Sequence, residues 1–296
     1  MSKGSKASSY EWMVKYTPQQ EWIEGKGLFL WLAWFFTEIF AGVYFVSLFL
    51  HLKQGLFVGW IGALAVGGFF HLIYLGKMFR GWRILFKVSS SELSRGLWIT
   101  ALYGAIGFLQ LLPIVIPGIP WAWDNSFLMA LMTIICVLAM IHGFLTMSVI
   151  KSLPMWNSPM MIPLSLTSAL LVGSQILIFI LLVSGSNITS VEVWARWSLL
   201  SYMGALLVYF WGNMHVSETA RASVMRILAG DCSPGFYALT VVIGITIPVI
   251  ITVAIWGKDP SGVGGGYLFL RFLCVLIGDA GMRYSIMKAP YYTPLI

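Results

Sequence analysis

Long apolar runs almost free of charge are the feature that most constrains the fold of this 296-residue chain. A helix that crosses a bilayer needs about 20 apolar residues. The alternation of period two that a membrane-spanning strand requires is missing from these runs. They therefore predict an all-α integral membrane protein with eight transmembrane helices, at residues 27–50, 55–76, 97–117, 127–149, 160–184, 197–216, 236–256 and 265–286.

The composition excludes a soluble globular protein. Charged residues make up 10% of the chain, against about 25% in a typical soluble domain. We expect a polar N-terminal segment at residues 1–26, a membrane domain at 27–288 and a short tail at 289–296. The first apolar run begins too late for a cleavable signal peptide. The three cysteines form no CxxC motif, so we expect no disulfide scaffold, iron–sulfur cluster or zinc site in this chain.

The net charge of +7 is distributed unevenly around the apolar runs. Eight crossings place both termini on one face, called side A, which carries fourteen of the basic residues. The opposite face, side B, carries Lys53, Arg196 and Lys258, and Arg271 is expected to snorkel to it from inside the last run. This bias predicts that side A is cytoplasmic and argues against nucleic acid as a partner. The alternative is a basic surface that docks an acidic partner or surrounds a quinone head.

Glu38 is an acidic residue near the centre of the first run. It lies about 18 Å along a helix from Lys26, near the middle of the bilayer. Ionisable groups at that depth are costly and mark functional sites. Ala41 and Gly42 follow, and small residues allow a neighbouring helix or a ligand to approach closely. We expect Glu38 to exchange protons; a structural hydrogen bond to a neighbouring helix is the alternative.

Two histidines lie in apolar runs at a similar depth. In the second run, His71 shares a helix face with Gly67 and Tyr74, and this face can admit a flat ligand head. In the fourth run, His142 lies about 13 Å along the helix from Lys151. We expect both imidazoles to contact a ligand, although hydrogen bonds between helices would also explain them.

Asp279 and Arg283 are spaced i, i+4 in the last run. One interpretation is an intrahelical ion pair near the interface; the other is a site carboxylate at Asp279 that binds a proton or a hydroxyl. Asp279, His71 and His142 all fall toward side A, with Glu38 just below them. An amphiphilic ligand with its polar head near side A is the simplest common explanation.

Three short motifs occur in an order typical of one family of membrane proteins. The first, at residues 75–96, is similar to the elements L-G-x-P-x-R and S-x-x-S-x-G, with Met78 in place of the usual proline. The second is PMWNSP at residues 154–159, and the third is the closing stretch GDAGMRYSIMKA. Together they resemble the NrfD/PsrC family, the quinol-interacting membrane subunits of polysulfide, nitrite and DMSO reductases. The residues that match the first two motifs are Leu75, Gly76, Arg80, Ser91, Ser94, Gly96, Pro154, Trp156, Asn157, Ser158 and Pro159.

The resemblance implies two four-helix bundles without haem, in the inner membrane of a prokaryote. It implies menaquinone or ubiquinone at a site near the face that docks a ferredoxin-like iron–sulfur subunit. That subunit exchanges electrons with a catalytic subunit, which in this family is often a molybdopterin enzyme. Arg80, Arg83 and Lys87 are then the docking residues. In several such complexes the docking face is periplasmic, whereas the charge bias here predicts a cytoplasmic one.

The resemblance also implies roles for individual site residues. His142 aligns with a tyrosine near the quinone of a related subunit, and His71 and Tyr74 fall near a quinol-linked histidine. A family carboxylate early in the third helix corresponds to Gly96, so its role is unfilled or passes to Glu38 or Asp279. Two other classes remain open: a cytochrome b anchor with His71 and His142 as axial ligands, and a transporter with Glu38 as its coupling carboxylate.

Overall fold

A computed structural model describes residues 16–76, 78–258 and 264–293, without the side chains of residues 78–80. This described part is helical throughout and contains no β-strand. Its helices are α1 Gly27–Phe49, α2 Lys53–Leu75, α3 Glu92–Val115, α4 Ser126–Ser148, α5 Met161–Val183, α6 Thr189–Val216, α7 Glu218–Leu228, α8 Ser233–Ala254 and α9 Gly265–Lys288.

Among the described residues, seven helices are long and apolar enough to cross a membrane: α1 to α5, α8 and α9. The chain is therefore a multi-pass membrane protein. The remaining predicted run, 197–216, lies in α6, which begins earlier and adds Glu192 and Arg196 to the helix. Because of these charged residues, α6 is more polar than the seven helices that are apolar enough to cross a membrane.

Local sequence explains where several helices begin and end. Ser91 caps α3 by accepting a hydrogen bond from the Ser94 amide at 3.4 Å, and Asn125 caps α4 by accepting one from the Phe127 amide at 3.0 Å. After α2, Gly76 adopts φ 67°, a left-handed conformation that glycine tolerates best. These residues fix the turns between successive antiparallel helices.

Two helices contain a stretch with the wider π-helical hydrogen-bond pattern. One is Gly62–Gly67 in α2, and the other is Phe236–Thr246 in α8, directly before Pro248. A proline has no backbone N–H to donate, and Pro248 lies two residues after the end of this π stretch. The stretch in α2 ends four residues before His71, and such bulges are frequent at functional sites.

Helices α1 and α5 form the centre of the packing. α1 contacts α2, α4 and α5, and α5 also contacts α6 and α9. Gly42 of α1 lies directly against the backbone of Ala169, and Gly173 lies directly against Gly42, so a Cβ atom at either glycine would overlap its neighbour. Small residues of this kind bring helix backbones together in membranes.

The end of the bundle where α1 begins and α9 ends is side A. Here Trp156 is fully buried and donates from Nε1 to the Ile286 carbonyl at 2.8 Å. The Tyr292 amide donates to the Thr17 carbonyl at 2.9 Å. The described parts of the N-terminal segment and the tail therefore pack together on side A, next to the loop that carries the WNSP motif.

Candidate functional site

Glu38 is held by a complete set of hydrogen bonds inside the bundle. Its carboxylate is 1% exposed and accepts from the Gly143 amide at 2.9 Å and from Ser165 Oγ at 2.8 Å. Its third donor is Arg283, with which it forms an ion pair. A Cβ atom at Gly143 would overlap the Glu38 carboxylate. Glycine at this position therefore allows α4 to approach the carboxylate of α1.

Arg283 joins Glu38 to Asp279. Its Nε donates to Asp279 Oδ2 at 2.9 Å, and another guanidinium nitrogen donates to Ser168 Oγ at 2.7 Å. Ser168 in turn donates to Asp279 Oδ1 at 2.6 Å. The side chains of Arg283 and Asp279 are each only 2% exposed. With all three groups ionised, the two carboxylates and one guanidinium leave one negative charge inside the bundle.

The sequence suggested two roles for Asp279 and Arg283, an ion pair near the interface or a site carboxylate at Asp279, and the structure agrees with the first of them only in part. The i, i+4 ion pair is present, but it is buried and it includes Glu38 from α1. The sequence contained a usable signal, because three ionisable residues in apolar runs have to find partners among themselves. Their pairing across 245 positions was not predicted.

A cavity of about 480 Å³ lies between α2, α3 and the segment Met78–Phe86. Its wall is mostly apolar, and its polar members include His71, Tyr74, Thr100 and His142. On the lipid-facing side, Phe69 is 56% exposed and Leu72 is 47% exposed. The cavity therefore borders the bilayer, and its volume lies within the range of about 300–1,000 Å³ usual for small-ligand sites.

The two histidines reach this cavity from different helices. His71 Nδ1 bonds with the Gly67 carbonyl at 3.0 Å, which leaves Nε2 as its other polar atom. His142 is 8% exposed, and the Trp34 ring lies edge-on to it with 6.5 Å between the ring centroids. Gly96 of α3 faces His142, and a Cβ atom there would overlap the imidazole. The space beside Gly96 is thus filled by the His142 ring.

A small gap connects the histidines with Glu38. Its lining includes Glu38, His71, His142, Trp34 and Thr37. Trp34 Nε1 and Thr37 Oγ1 are buried and have no hydrogen-bond partner among the described residues. Such groups commonly bond to internal water. The gap therefore offers polar atoms between the cavity and the ion network.

The predicted docking residues lie on the segment that covers the cavity. Arg83 and Lys87 are exposed, and Arg83 stacks over Trp82 at 5.7 Å. The side chain of Arg80 lies outside the described residues. Ile84 of the same segment lines the cavity, and its carbonyl accepts a hydrogen bond from Ser94. A surface contact at Arg83 would thus be close to the cavity wall.

The prediction that Arg271 snorkels to side B is wrong. Arg271 is 1% exposed and forms an ion pair with Glu192 of α6. It also donates to Gln175 at 3.2 Å and to Thr252 at 3.3 Å. Because the Arg271 guanidinium has a carboxylate and two further acceptors inside the bundle, it does not extend to the headgroups.

In the part of the chain that the structure describes, no three His, Cys, Asp or Glu residues are grouped so as to hold a metal ion. The chain matches no known protein-family model and no curated protein. The resemblance to the NrfD/PsrC family stays a prediction from the motifs.

Proposed function

We propose that this chain is the quinol- or quinone-binding membrane subunit of a respiratory oxidoreductase. The observation that carries the proposal is that His71 and His142 line one bilayer-facing cavity and, through a small gap, adjoin the buried carboxylate of Glu38. A quinone head needs hydrogen-bonding groups at its oxygens and an apolar slot for its ring and tail. The lining of this cavity offers both.

In this proposal the histidines bind the two-electron carrier and Glu38 takes part in proton exchange. Oxidation of a quinol releases two protons and two electrons. One proton passes to His71 or His142, whose imidazole nitrogens can accept it. The other passes to Glu38 or Asp279, while Arg283 keeps both carboxylates in place. The electrons leave to the partner subunit, and quinone reduction uses the same residues in reverse.

The partner of the proposal is a ferredoxin-like iron–sulfur subunit, itself bound to a catalytic subunit. It would dock on side A over the segment Met78–Phe86 and the adjoining Lys87, since Arg83 and Lys87 are exposed. Because Ile84 of this segment lines the cavity, a docked cluster would lie close to the quinone head. Basic residues favour a partner with an acidic surface.

The proposed topology has α6 as the eighth crossing. α6 has 28 residues, or about 42 Å of helix, and it packs against α5. The helices then form two four-helix bundles, joined where α1 meets α5. By the charge bias, side A and both termini are cytoplasmic in the inner membrane of a prokaryote.

Quinone-coupled turnover of the intact complex tests the function. His71→Ala and His142→Ala should lower turnover severely, whereas His215→Ala is the control because His215 is exposed at the end of α6. A specific quinol-site inhibitor should bind wild type and the control equally and both cavity variants weakly. Wild-type turnover in both cavity variants would refute the site.

A haem b anchor is the second candidate, because the same two histidines line one cavity. A haem between them would give an α band in the reduced-minus-oxidised spectrum of the purified chain. His71→Ala and His142→Ala would each remove that band. Quinone-coupled turnover without such a band would decide for the quinone site.

A further inference from the structure

A polar groove of about 400 Å³ opens on side B, at the ends of the membrane-crossing helices. It lies between the turn after α1, the start of α2 and the loop that follows α5. Its floor contains Leu52 and Leu181, and its rim is polar. The rim residues are His51, Lys53, Gln54, Ser186 and Asn187.

Every polar side chain on this rim can donate a hydrogen bond, and no Asp or Glu lines the groove. Lys53 forms no ion pair with an acidic residue in the described part of the chain. Asn187 uses its carbonyl oxygen to accept from the Thr189 amide at 2.8 Å, which leaves its NH₂ group as a donor. This set of groups favours an anion.

The side chains of Lys53 and His51 are held by a common support. The Lys53 Nζ lies 5.9 Å from the centre of the Trp123 ring, and the His51 ring lies 5.5 Å from it. The Trp123 carbonyl accepts from Gln110 Nε2 at 2.9 Å, and Gln110 is completely buried. Trp123, and with it the position of both side chains, is therefore fixed to the buried face of α3.

His51 also adopts an unusual backbone conformation. Its φ of 53° is the only positive value at a non-glycine residue in the described part of the chain. A left-handed conformation is unfavourable for such a residue and persists where the surroundings require it. Here it turns the chain between α1 and α2 within three residues and brings His51 beside Lys53 on the same ring.

We propose that this groove binds the phosphate group of an anionic phospholipid in the side B leaflet. A phosphate could also come from solution, but the surroundings of the groove favour a lipid. Phe49 at the end of α1 is 46% exposed, and Val183 at the end of α5 is 74% exposed. Such side chains face acyl chains, so the apolar surface continues from the groove into the bilayer. This proposal is independent of the proposed quinone site.

Retention of lipid by the purified full chain tests it. The chain is released from nanodiscs that contain phosphatidylglycerol and phosphatidylcholine, and native mass spectrometry measures the bound lipid. We expect wild type to retain phosphatidylglycerol in preference to phosphatidylcholine. Lys53→Gln should weaken that retention about fivefold, the effect of one cation near a membrane surface, and His51→Gln combined with it should weaken it further.

Lys258→Gln is the matched control, since Lys258 is another exposed lysine on side B but does not line the groove. It should retain phosphatidylglycerol like wild type. Equal retention by Lys53→Gln and wild type would overturn the proposal, as would an equal loss in Lys258→Gln. Binding of inorganic phosphate by the chain without preferential retention of phosphatidylglycerol would overturn the lipid assignment. Circular dichroism and thermal melting in phosphatidylcholine alone check that the variants are folded.

Discussion

Arg283 and Glu38 form a buried ion pair although they are 245 positions apart in the sequence. The pair connects the last helix of the chain with the first. Arg283 also binds Asp279 and lies over the Phe144 ring, with 5.1 Å between the guanidinium carbon and the ring centre. The same guanidinium therefore holds two carboxylates in place and packs against Phe144 of α4.

Removal of Arg283 should strongly destabilise the protein. Arg283→Met leaves Glu38 and Asp279 buried without a cation, and breaking a buried pair in this way typically costs about 3–5 kcal/mol. Unfolding of the purified chain in detergent measures the loss. Arg221→Met is the control, because Arg221 is exposed on α7, and it should unfold like wild type. In Glu38→Gln combined with Arg283→Met, part of the lost stability should return.

The helices were predictable from the sequence and the ion network was not. Runs of about 20 apolar residues reveal helices through hydropathy alone, and the seven apolar helices match predicted runs to within a few residues. Partners such as Glu38 and Arg283 depend on which helices become neighbours, and hydropathy contains no such information. The same limit explains the error at Arg271, whose partner Glu192 lies just before a predicted run.

Gly96 should control the position of His142. A Cβ atom at residue 96 would overlap the imidazole, so Gly96→Ala should displace His142 and reduce the affinity of the cavity for a quinol-site inhibitor by about tenfold or more, equivalent to roughly 1.4 kcal/mol. Equilibrium binding of the inhibitor to the purified complex measures this.

Gly204→Ala is the control for Gly96→Ala. Gly204 lies on α6, away from the cavity, and a Cβ atom there would meet nothing within 4 Å. Both variants add one methyl group to a helix, but only one of them affects a histidine. Equal inhibitor affinity in Gly96→Ala and wild type would show that His142 can move without consequence for the ligand.

The sequence singled out the two histidines because depth along a helix follows from residue spacing. His71 and His142 were expected in one membrane layer, and the structure brings both to the same cavity. Tyr74 lies on that cavity as well. The contact of Gly96 with His142 and the place of Thr100 on the cavity were not predicted, since neither residue has a charge or an aromatic ring.

Removal of Arg271 should cost less stability than removal of Arg283. In Arg271→Met, Glu192 keeps its ion pair with Arg196 at 2.9 Å, whereas Glu38 and Asp279 share a single cation. Arg196 is also partly exposed, so water can reach this side of the network. Unfolding in detergent under the same conditions compares the two variants. A larger loss in Arg271→Met would mean that Arg196 does not compensate Glu192.

The attachment of the C-terminal tail should weaken in acid. Arg226 of α7 donates to the Lys288 carbonyl at 3.0 Å and forms an ion pair with Asp231. The hydrogen bond from Arg226 holds the pKa of the Asp231 carboxyl below its ordinary value of 3.8. A lowered pKa in the folded state gives stability that is complete above the ordinary value and is lost as the pH falls through the folded value.

Because Asp231 is largely exposed, Asp231→Asn should destabilise the protein by at most about 1 kcal/mol at neutral pH. Melting curves of the variant and wild type should converge in acid. Glu21→Gln is the control, because Glu21 is exposed and forms no ion pair in the described part of the chain, and it should leave melting at neutral pH unchanged. A difference that persists at the lowest pH would show that Asp231 acts through something other than its charge.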